Sequence, residues 1–371
     1  MFINRRLIYI STVNLLSKKA QSYQIIKFVK SLSKLCKQKN LSFNSYSLSD
    51  VPSNYKKYFF ILDVRLRRNR LINNLIMISF LFRKKCLKSK DIVYSRDLFI
   101  LLLLAFSGYK TIYEYHHPTP ILNSLLLKIY YFLPNTRVTV ISEALKKHFL
   151  NRNFSYKKKV LVLPSSVEFE KYACNQNKEV LRNKLGMKEN LYYVVHTGSP
   201  YEGRGIEYFV QICRASDDIF FIHIGGDKKD LLKLEEKAKR NKIFNYLLLP
   251  NISDYDLVNY QKAADLLFYV ITPKWPTYWC CSPMKIPEYM ASNTPILASS
   301  VGSITEMLDE KTSFLFDLNT QSLIDNLMKA KLNPNLGKKI AKKARNKVQN
   351  FFTLEIRSTK LINYLKTLSQ L

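Results

Sequence analysis

Short apolar segments alternate along the chain with longer segments whose apolar residues return every three or four positions. This alternation is typical of βαβ units that build a parallel sheet. In the first half of the chain, strands are predicted at residues 7–11, 91–96, 110–115, 137–142 and 160–164. Residues 20–40 have the helical period, so a helix is predicted after the first strand.

A second series of strand and helix patterns begins near residue 191. Its strands are predicted at residues 191–198, 219–226, 246–250, 264–270 and 295–299. The polar stretch 177–191 separates the two series, which predicts an α/β protein with two doubly wound, Rossmann-like domains, 1–185 and 186–353. Since ligands of open parallel sheets bind beyond the carboxyl ends of the strands, a cleft between the domains is the expected site.

The formal net charge of +31 is concentrated in the first half of the chain. Residues 1–190 carry 35 Lys and Arg against 10 Asp and Glu, whereas the remaining residues carry 24 against 18. A compositional bias with solvated lysines is the plain interpretation, but a uniform bias would not concentrate the positive charge in one half of the chain. The asymmetry favours a negative partner for that half: phospholipid headgroups, a phosphorylated acceptor or nucleic acid.

The spacing of the six cysteines fits neither a zinc site nor a disulfide framework, which predicts free thiols in a reducing cytoplasm. The first residues lack the pattern of a signal peptide. The longest apolar runs, 98–106 and 75–82, fall short of the roughly 20 residues that span a bilayer. We therefore expect a cytoplasmic protein that is soluble or peripheral on the inner face of the membrane.

Residues 65–90 combine basic clusters with an apolar stretch between them. This pattern suits an interfacial helix on an anionic membrane, where each basic residue adds about 1 kcal/mol. A core helix with solvated ends is the alternative. The hypothesis is that the basic half docks on the membrane through this segment.

The segment 281–295, CSPMKIPEYMASNTP, predicts a short helix. Ser282 is a suitable N-cap and Pro283 suits the first helical position, so the helix is expected to continue from Met284. Asn293 tolerates the left-handed conformation in which many helices end.

Two charged residues of this helix suggest a binding site. Lys285 lies in the first turn, where free backbone N–H groups and the helix dipole also favour a phosphate. Glu288, three residues on, shares a face with Lys285, and its carboxylate suits the adjacent hydroxyls of a ribose. An ordinary ion pair between Lys285 and Glu288 is the alternative.

Two further segments follow predicted strands. The loop after residue 197 contains Gly198, Arg204 and Gly205, whose glycines permit close backbone approach and whose arginine suits a diphosphate; a generic strand–loop–helix turn is the alternative. The segment 113–120 places His116 and His117 after a strand, where a histidine works near neutral pH or is structural. Metal binding is not expected, because acidic and cysteine partners at ligand spacing are lacking.

Taken in this order, these segments resemble the retaining glycosyltransferases of family 4, which have the GT-B fold. The similarity covers essentially the whole chain and is strongest over residues 193–316. It is carried by SP-x-K-x-x-EYMAS-x-x-P, the T-G-x-x-Y-x-x-R-G loop, GGD after a strand and the ISEALK helix start.

The resemblance implies that the second domain binds a nucleotide-activated sugar, without a cofactor or metal. It implies contacts of Arg204 and Lys285 with the diphosphate, of Glu288 with the ribose, and a place for His116 near the reacting sugar. The implied nucleotide-sugar-binding residues are Gly198, Ser199, Arg204, Gly205, Ser282, Pro283, Met284, Lys285 and Glu288, and the implied catalytic residues are His116, Arg204 and Lys285.

The resemblance also implies that the first domain binds the acceptor, a glycan or a lipid-linked molecule, and that the last helix, 354–371, returns to it. The expected reaction is sugar transfer with retention of configuration, in cell-surface polysaccharide or lipopolysaccharide synthesis.

The chain departs from the family pattern at two positions. Cys280 stands where the first glutamate of the paired motif is expected, and Ser199 stands where an arginine often follows the glycine. A catalytically silent relative or a nucleotide-sugar epimerase is therefore an alternative. A basic nucleic-acid-binding protein is more remote, since no nucleic-acid-binding module is recognised; we expect no nucleic-acid partner.

Overall fold

The computed structural model describes residues 5–17, 19–62, 64–119, 121–151, 159–173, 176–204 and 207–369. The chain divides into two compact units. The N-unit comprises Met1–Ser165 and Leu354–Leu371, and the C-unit comprises Ser166–Thr353. The expected boundary at residue 185 lies later than this division, because Tyr172 and Leu181 belong to the core of the C-unit.

The N-unit contains a parallel sheet. Its strands are β1 (Arg6–Ser11), β2 (Ser42–Ser47), β3 (Phe60–Ile61), β4 (Ile92–Ser95), β5 (Lys110–Tyr115), β6 (Thr136–Val140) and β7 (Val160–Val162). They lie in the order β3-β2-β1-β4-β5-β6-β7, so the direction of winding reverses between β1 and β4. Such a reversal is where open α/β sheets bind ligands.

Five helices connect these strands in the described part of the N-unit. They are α1 (Ala20–Gln38), α2 (Arg70–Arg83), α3 (Leu98–Phe106), α4 (Ile121–Phe132) and α5 (Glu143–Asn151). The predicted helix at 20–40 is confirmed as α1, whose apolar face, including Phe28 and Leu32, is buried in the core with Tyr94 of β4. Helix formation here follows from the apolar period, which gives the helix one face to bury.

The C-unit contains a second parallel sheet. Its strands are β8 (Tyr192–Thr197), β9 (Ile219–Ile224), β10 (Tyr246–Leu249), β11 (Leu266–Tyr269), β12 (Ile296–Ser299) and β13 (Phe314–Phe316), in the order β10-β9-β8-β11-β12-β13. The helices are α6 (Lys178–Lys184), α7 (Phe209–Arg214), α8 (Lys228–Arg240), α9 (Asp254–Ala263), α10 (Lys285–Ser292), α11 (Ile304–Met307), α12 (Thr320–Leu332) and α13 (Pro334–Phe351). The predicted pair of doubly wound α/β domains is confirmed.

The last helix, α14 (Leu354–Ser369), is part of the N-unit. It packs on α1 and buries Leu361, Ile362 and Leu365 in the core of that unit. Arg357 of α14 donates to the backbone carbonyls of Leu163 and Pro164. The N-unit is thus completed by residues from both ends of the chain.

The segment 65–90 forms α2 with a polar turn on either side. One face of α2 is buried through Asn73, Asn74, Met77 and Leu81. Leu75 and Phe82 are 53% and 46% exposed, so the helix has an apolar surface outside the core as well. None of the helices in the described ranges combines the length and apolar character that crossing a bilayer requires.

Candidate active site

Adjacent strands β8 and β9 of the C-unit end in glycine turns that touch each other. Gly198, after β8, has φ +124°, and Gly225, after β9, has φ +127°. A Cβ atom on Gly225 would lie 2.6 Å from the carbonyl oxygen of Gly198, closer than van der Waals contact permits. Glycine is therefore required at Gly225 for both its backbone conformation and this approach.

Lys285 lies directly against the first of these turns. A Cβ atom on Gly198 would be 3.4 Å from Cε of Lys285, and Nζ of Lys285 is 3.2 Å from Oε2 of Glu288. The side chain of Glu288 is 11% exposed and that of Lys285 is 23% exposed. Gly198, Lys285 and Glu288, which the resemblance assigns to one binding site, thus lie together. The ion pair between Lys285 and Glu288, which was the alternative interpretation of the sequence, is also formed. An ammonium group has three donors, so one ion pair leaves donors for a phosphate.

The helix that carries Lys285 starts later than predicted. Met284 is the N-cap and already has helical dihedral angles, φ −63° and ψ −24°, while Ser282 and Pro283 precede the helix. The prediction that Ser282 caps the helix is wrong: its hydroxyl lies 4.0 Å from Sδ of Met307. The later start puts Pro287 at the third helical position, where an N–H would have no helical partner. The proline therefore costs no helical hydrogen bond.

The start of α10 still leaves backbone N–H groups for an anion. The first hydrogen bond of the helix runs from N of Glu288 to O of Met284 at 3.4 Å, so the N–H groups before it lack a partner within the helix. Lys285 and Ile286 supply these groups next to the Gly198 turn. The predicted end of the helix is confirmed, because Asn293 adopts φ +63°.

Tyr289, which the sequence analysis did not single out, fixes α10 to the end of β8. Its hydroxyl accepts a hydrogen bond from the backbone N–H of Thr197 at 2.8 Å and lies 3.1 Å from Oγ1 of Thr197. Tyr289 is fully buried. Since Thr197 immediately precedes Gly198, this contact fixes the distance between the glycine turn and Lys285.

Arg204 lies in the loop after β8, which the sequence analysis interpreted as a diphosphate-binding loop with a generic turn as the alternative. Its guanidinium lies over the ring of Trp275, 5.0 Å from the centroid, a cation–π arrangement. Its backbone N–H donates to O of Tyr201 at 2.9 Å. Ser199 follows the Gly198 turn and is half-buried, whereas Gly205 lies outside the described residues.

A stacked pair of buried histidines lies beside the glycine turns. His196 of β8 and His223 of β9 are paired in register, with their rings 5.1 Å apart and their Nδ1 atoms 2.9 Å apart. Nε2 of His223 lies 3.1 Å from the carbonyl oxygen of Gly225, which only accepts, so Nε2 carries the proton. Nδ1 of His223 is therefore an acceptor, and Nδ1 of His196 donates to it.

Both histidines of this pair are neutral. Burial lowers the pKa of His223 to about 4. Burial also holds the pKa of His196 well below its usual value, and His223, Lys285 and Arg204 act in the same direction.

Cys280 is fully buried, and its backbone N–H donates to O of Thr277 at 3.1 Å. Burial raises the pKa of this thiol to about 12, so it remains protonated near neutral pH. It does not supply the carboxylate that the resemblance implies for this position. Among the described cysteines none is in a disulfide, whereas Cys174 lies outside the described residues.

The N-unit holds a buried charge network at the carboxyl end of β5. The carboxylate of Glu114 accepts from Nε of Arg96 at 3.0 Å and from Nη2 of Arg357 at 2.6 Å. Nε2 of His116 lies 3.0 Å from Oε1 of Glu114. His117, the alternative, is exposed and contacts the carbonyl of Pro118. His116 is therefore the histidine that the fold holds in place.

The charge states of this network follow from burial and its arginines. Burial alone raises the pKa of Glu114, but Arg96, His116 and Arg357 outweigh it and hold that pKa well below its usual value. Burial, with Arg96, lowers the pKa of His116 to about 4. His116 is thus a neutral imidazole whose Nε2 approaches an ionised carboxylate. Within the described residues, no group of three His, Cys, Asp or Glu side chains is arranged to hold a metal.

Comparisons with solved structures define the class of fold. A glycosyltransferase from Rickettsia africae ESF-5 is similar with a TM-score of 0.78, at 16% identity, over 98% of both chains. Anabaena HepE, solved with UDP and glucose, is similar with a TM-score of 0.74, at 14% identity, over 98% of this chain and 99% of that one. The GT-B fold predicted from the sequence is confirmed.

Sequence comparisons then show what the chain is similar to. Residues 177–347, which lie in the C-unit and make up just under half of the chain, match the model of glycosyl transferases group 1. A UDP-Gal:alpha-D-GlcNAc-diphosphoundecaprenol alpha-1,3-galactosyltransferase of Escherichia coli is 26% identical over 212 residues, 55% of this chain and 53% of the relative. The match thus spans only about half the length of this curated relative.

Replacing Tyr289 by phenylalanine tests the link between α10 and β8. The Y289F variant leaves the buried N–H of Thr197 without this acceptor, so we expect a loss of roughly 1–3 kcal/mol in unfolding free energy. Urea unfolding measures it. Tyr246→Phe, the same change on edge strand β10, is the control, and equal effects of the two substitutions would contradict the proposed role.

The neutral histidine pair predicts a pH dependence of stability. Because the pKa of His223 is lowered by folding, the unfolded chain takes up a proton first, and stability falls as the pH drops from about 6.5 to about 4. One pKa unit is worth about 1.4 kcal/mol, so His223 alone accounts for about 3 kcal/mol. Urea unfolding at several pH values should show a shallower fall for His223→Asn; an unchanged slope would refute the assignment.

Proposed function

We propose that this chain is a retaining glycosyltransferase of family 4 that transfers a sugar from a nucleotide-sugar donor to a glycan or lipid-linked acceptor. The observation that carries the proposal is the position of Lys285, between the Gly198 turn and the carboxylate of Glu288. A nucleotide sugar offers a diphosphate and, beside it, a ribose with two hydroxyls. The C-unit offers the Lys285 cation and the N–H groups at the start of α10 for the diphosphate, and the Glu288 carboxylate for the ribose hydroxyls.

The proposed chemistry is departure of a nucleoside diphosphate. Negative charge builds up on the diphosphate as its bond to the sugar breaks, and preorganised donors stabilise that charge. Lys285, Arg204 and the N–H groups at the start of α10 fill this role without a metal ion. Retention requires the acceptor hydroxyl to attack from the face that the diphosphate leaves.

The N-unit is the proposed source of the acceptor site. His116 is the residue proposed to orient the sugar or the acceptor, since it is neutral and lies against the carboxylate of Glu114. The diphosphoundecaprenol acceptor in the name of the E. coli relative supports a lipid-linked acceptor. Such an acceptor and the basic N-unit support a peripheral location on the inner face of the cytoplasmic membrane, in polysaccharide or lipopolysaccharide synthesis.

A second candidate is a GT-B relative that binds the donor but does not transfer the sugar. The buried thiol of Cys280 favours it, because a neutral thiol cannot replace a carboxylate that positions the sugar. Binding and transfer assays separate the two, since this candidate predicts stabilisation by the donor without product.

Thermal unfolding with UDP, GDP, ADP, CMP and dTDP tests donor binding. We expect stabilisation by UDP, the nucleotide in the names of the E. coli relative and the Anabaena complex, of about 2.7 kcal/mol at a concentration of 100 Kd. Lys285→Ala should remove most of this increment, whereas Lys239→Ala, an exposed lysine of α8, should retain it. Failure of all five nucleotides to stabilise the protein would refute the proposal.

Substitutions of the two adjacent histidines, His116 and His117, test which of them acts in the transfer step. His116→Asn should lower kcat by roughly 100-fold or more, the usual contribution of a positioned catalytic side chain, while donor stabilisation persists. His117→Asn should leave kcat nearly unchanged, because that side chain is exposed and outside the Glu114 network. Both variants are assayed for sugar transfer to acceptors in lipid extracts, with the sugar form of the nucleotide that stabilises the protein as the donor. Equal effects of the two substitutions on kcat would exclude His116 as the residue that acts in the transfer step.

A further inference from the structure

The outer surface of helices α2, α3 and α4 in the N-unit carries large apolar side chains. We call this set the apolar face, and it consists of Leu71, Ile72, Leu75, Phe82, Leu103, Phe106, Leu125, Ile129 and Phe132. Apart from the neighbours Leu71 and Ile72, these residues lie three, four or seven positions from the next member in the same helix, which gives each helix one apolar stripe. Phe106 and Phe132 are 62% and 58% exposed.

The three stripes lie side by side. Helices α2, α3 and α4 precede β4, β5 and β6, which are neighbours in the sheet, and right-handed crossovers put all three helices on the same side. Helix α3 packs against both α2 and α4. The apolar face is therefore one continuous surface, larger than the scattered exposed apolar side chains that soluble proteins normally show.

The exposed charges of the segment that carries the apolar face, residues 64–142, are of one sign. Helices α2, α3 and α4 contain no Asp or Glu. Between residues 64 and 142 the acidic residues are Asp91, Asp97 and Glu114, and each is only 2% exposed. The cations are on the surface and all exposed: Arg65, Arg67 and Arg68 precede α2, Arg70 is its first residue, and Arg83, Lys84, Lys85, Lys88 and Lys90 lie at its end or just after it.

The C-unit shows that this arrangement is not a general property of the chain. Its exposed large apolar residues are spread over separate elements, such as Leu232 on α8, Phe244 in a loop and Leu332 on α12. Helix α8 also carries Asp230, Glu235 and Glu236 among its lysines. A general bias toward lysine and isoleucine does not produce the difference between the units.

The charge pattern decides between occupants of the apolar face. A second copy of this chain would bring cations against cations, which like-charge repulsion opposes. An anionic phospholipid surface offers phosphates to the cations and the boundary of the acyl chains to the apolar stripes, the combination that interfacial helices use. We infer that the apolar face of α2, α3 and α4 lies on an anionic phospholipid bilayer, with the three helices parallel to its surface.

This inference deepens the peripheral location given under the proposed function by naming the surface that docks, and docking itself requires neither donor nor acceptor. The test is flotation of the full chain with phosphatidylglycerol-containing vesicles. The double variant Phe106→Ser and Phe132→Ser should reduce binding roughly tenfold or more, because two bulky side chains lose their interfacial contacts. Its melting temperature and nucleotide stabilisation should remain unchanged, since both side chains are exposed and outside the candidate active site.

Phe244→Ser with Phe351→Ser is the matched control, because these phenylalanines of the C-unit are 84% and 55% exposed. This control should bind vesicles like the unaltered protein. Equal loss in both double variants, or full binding by the Phe106 and Phe132 variant, would overturn the inference. So would a sedimentation experiment in which the same two substitutions convert a dimer to a monomer, which would assign the apolar face to a second copy.

A charge variant tests the other half of the inference. Lys88→Glu with Lys90→Glu should shift binding to vesicles with a higher phosphatidylglycerol content, whereas Lys228→Glu with Lys229→Glu on exposed positions of α8 should not. Binding that is equal on phosphatidylcholine and phosphatidylglycerol vesicles would overturn the anionic requirement. A protein that floats but ignores every nucleotide would refute the proposed function and leave the docking surface intact.

Discussion

The geometry of the candidate active site depends on the close approach of the two glycine turns after β8 and β9. Only because Gly225 lacks a side chain can its backbone reach the carbonyl of Gly198, and this keeps the ends of the strands together. The hydroxyl of Tyr289 then fixes α10 to Thr197, one residue before the turn. Lys285 consequently meets backbone on one side and Glu288 on the other. The phosphate-binding character of the site thus arises from packing as much as from charge.

Local patterns predicted most of the strands that contribute apolar residues to a core, although β13, with the buried Phe314 and Phe316, was not among them. The strand at Lys110–Tyr115 was predicted to the residue, because an apolar, aromatic run between turns has few other structures available. Strand β2, SFNSYS, was not predicted, because its buried positions are largely polar. The hydroxyl of Ser47, for example, donates to the carbonyl of Ser49 at 2.7 Å. Hydrogen bonds formed only in the folded chain make such a polar strand possible, and no local pattern reports them.

The candidate site shows the same limit. Lys285 and Glu288 could be paired from a spacing of three residues, since helical geometry alone brings them to one face. Tyr289 and Thr197 are 92 positions apart and His196 and His223 are 27 apart, so their contacts depend on the order of strands in the sheet. The helix start was misplaced for a related reason. Ser282 and Pro283 form a good local signal, but Met284 already takes up the helical conformation after them and the tertiary contacts of Ser282 lie elsewhere.

The charge asymmetry of the chain is most visible in the number and positions of the acidic residues of the N-unit. The N-unit has 33 Lys and Arg against 7 Asp and Glu. Of the six acids that lie in described residues, three are buried, and they pair with arginines: Asp91 with Arg6, Asp97 with Arg70, and Glu114 with Arg96 and Arg357. These pairs use four arginines for three acids, so the rest of the unit has 29 Lys and Arg against four Asp and Glu. The strongly positive surface field comes from this excess of cations, and it acts over about 8 Å at physiological ionic strength.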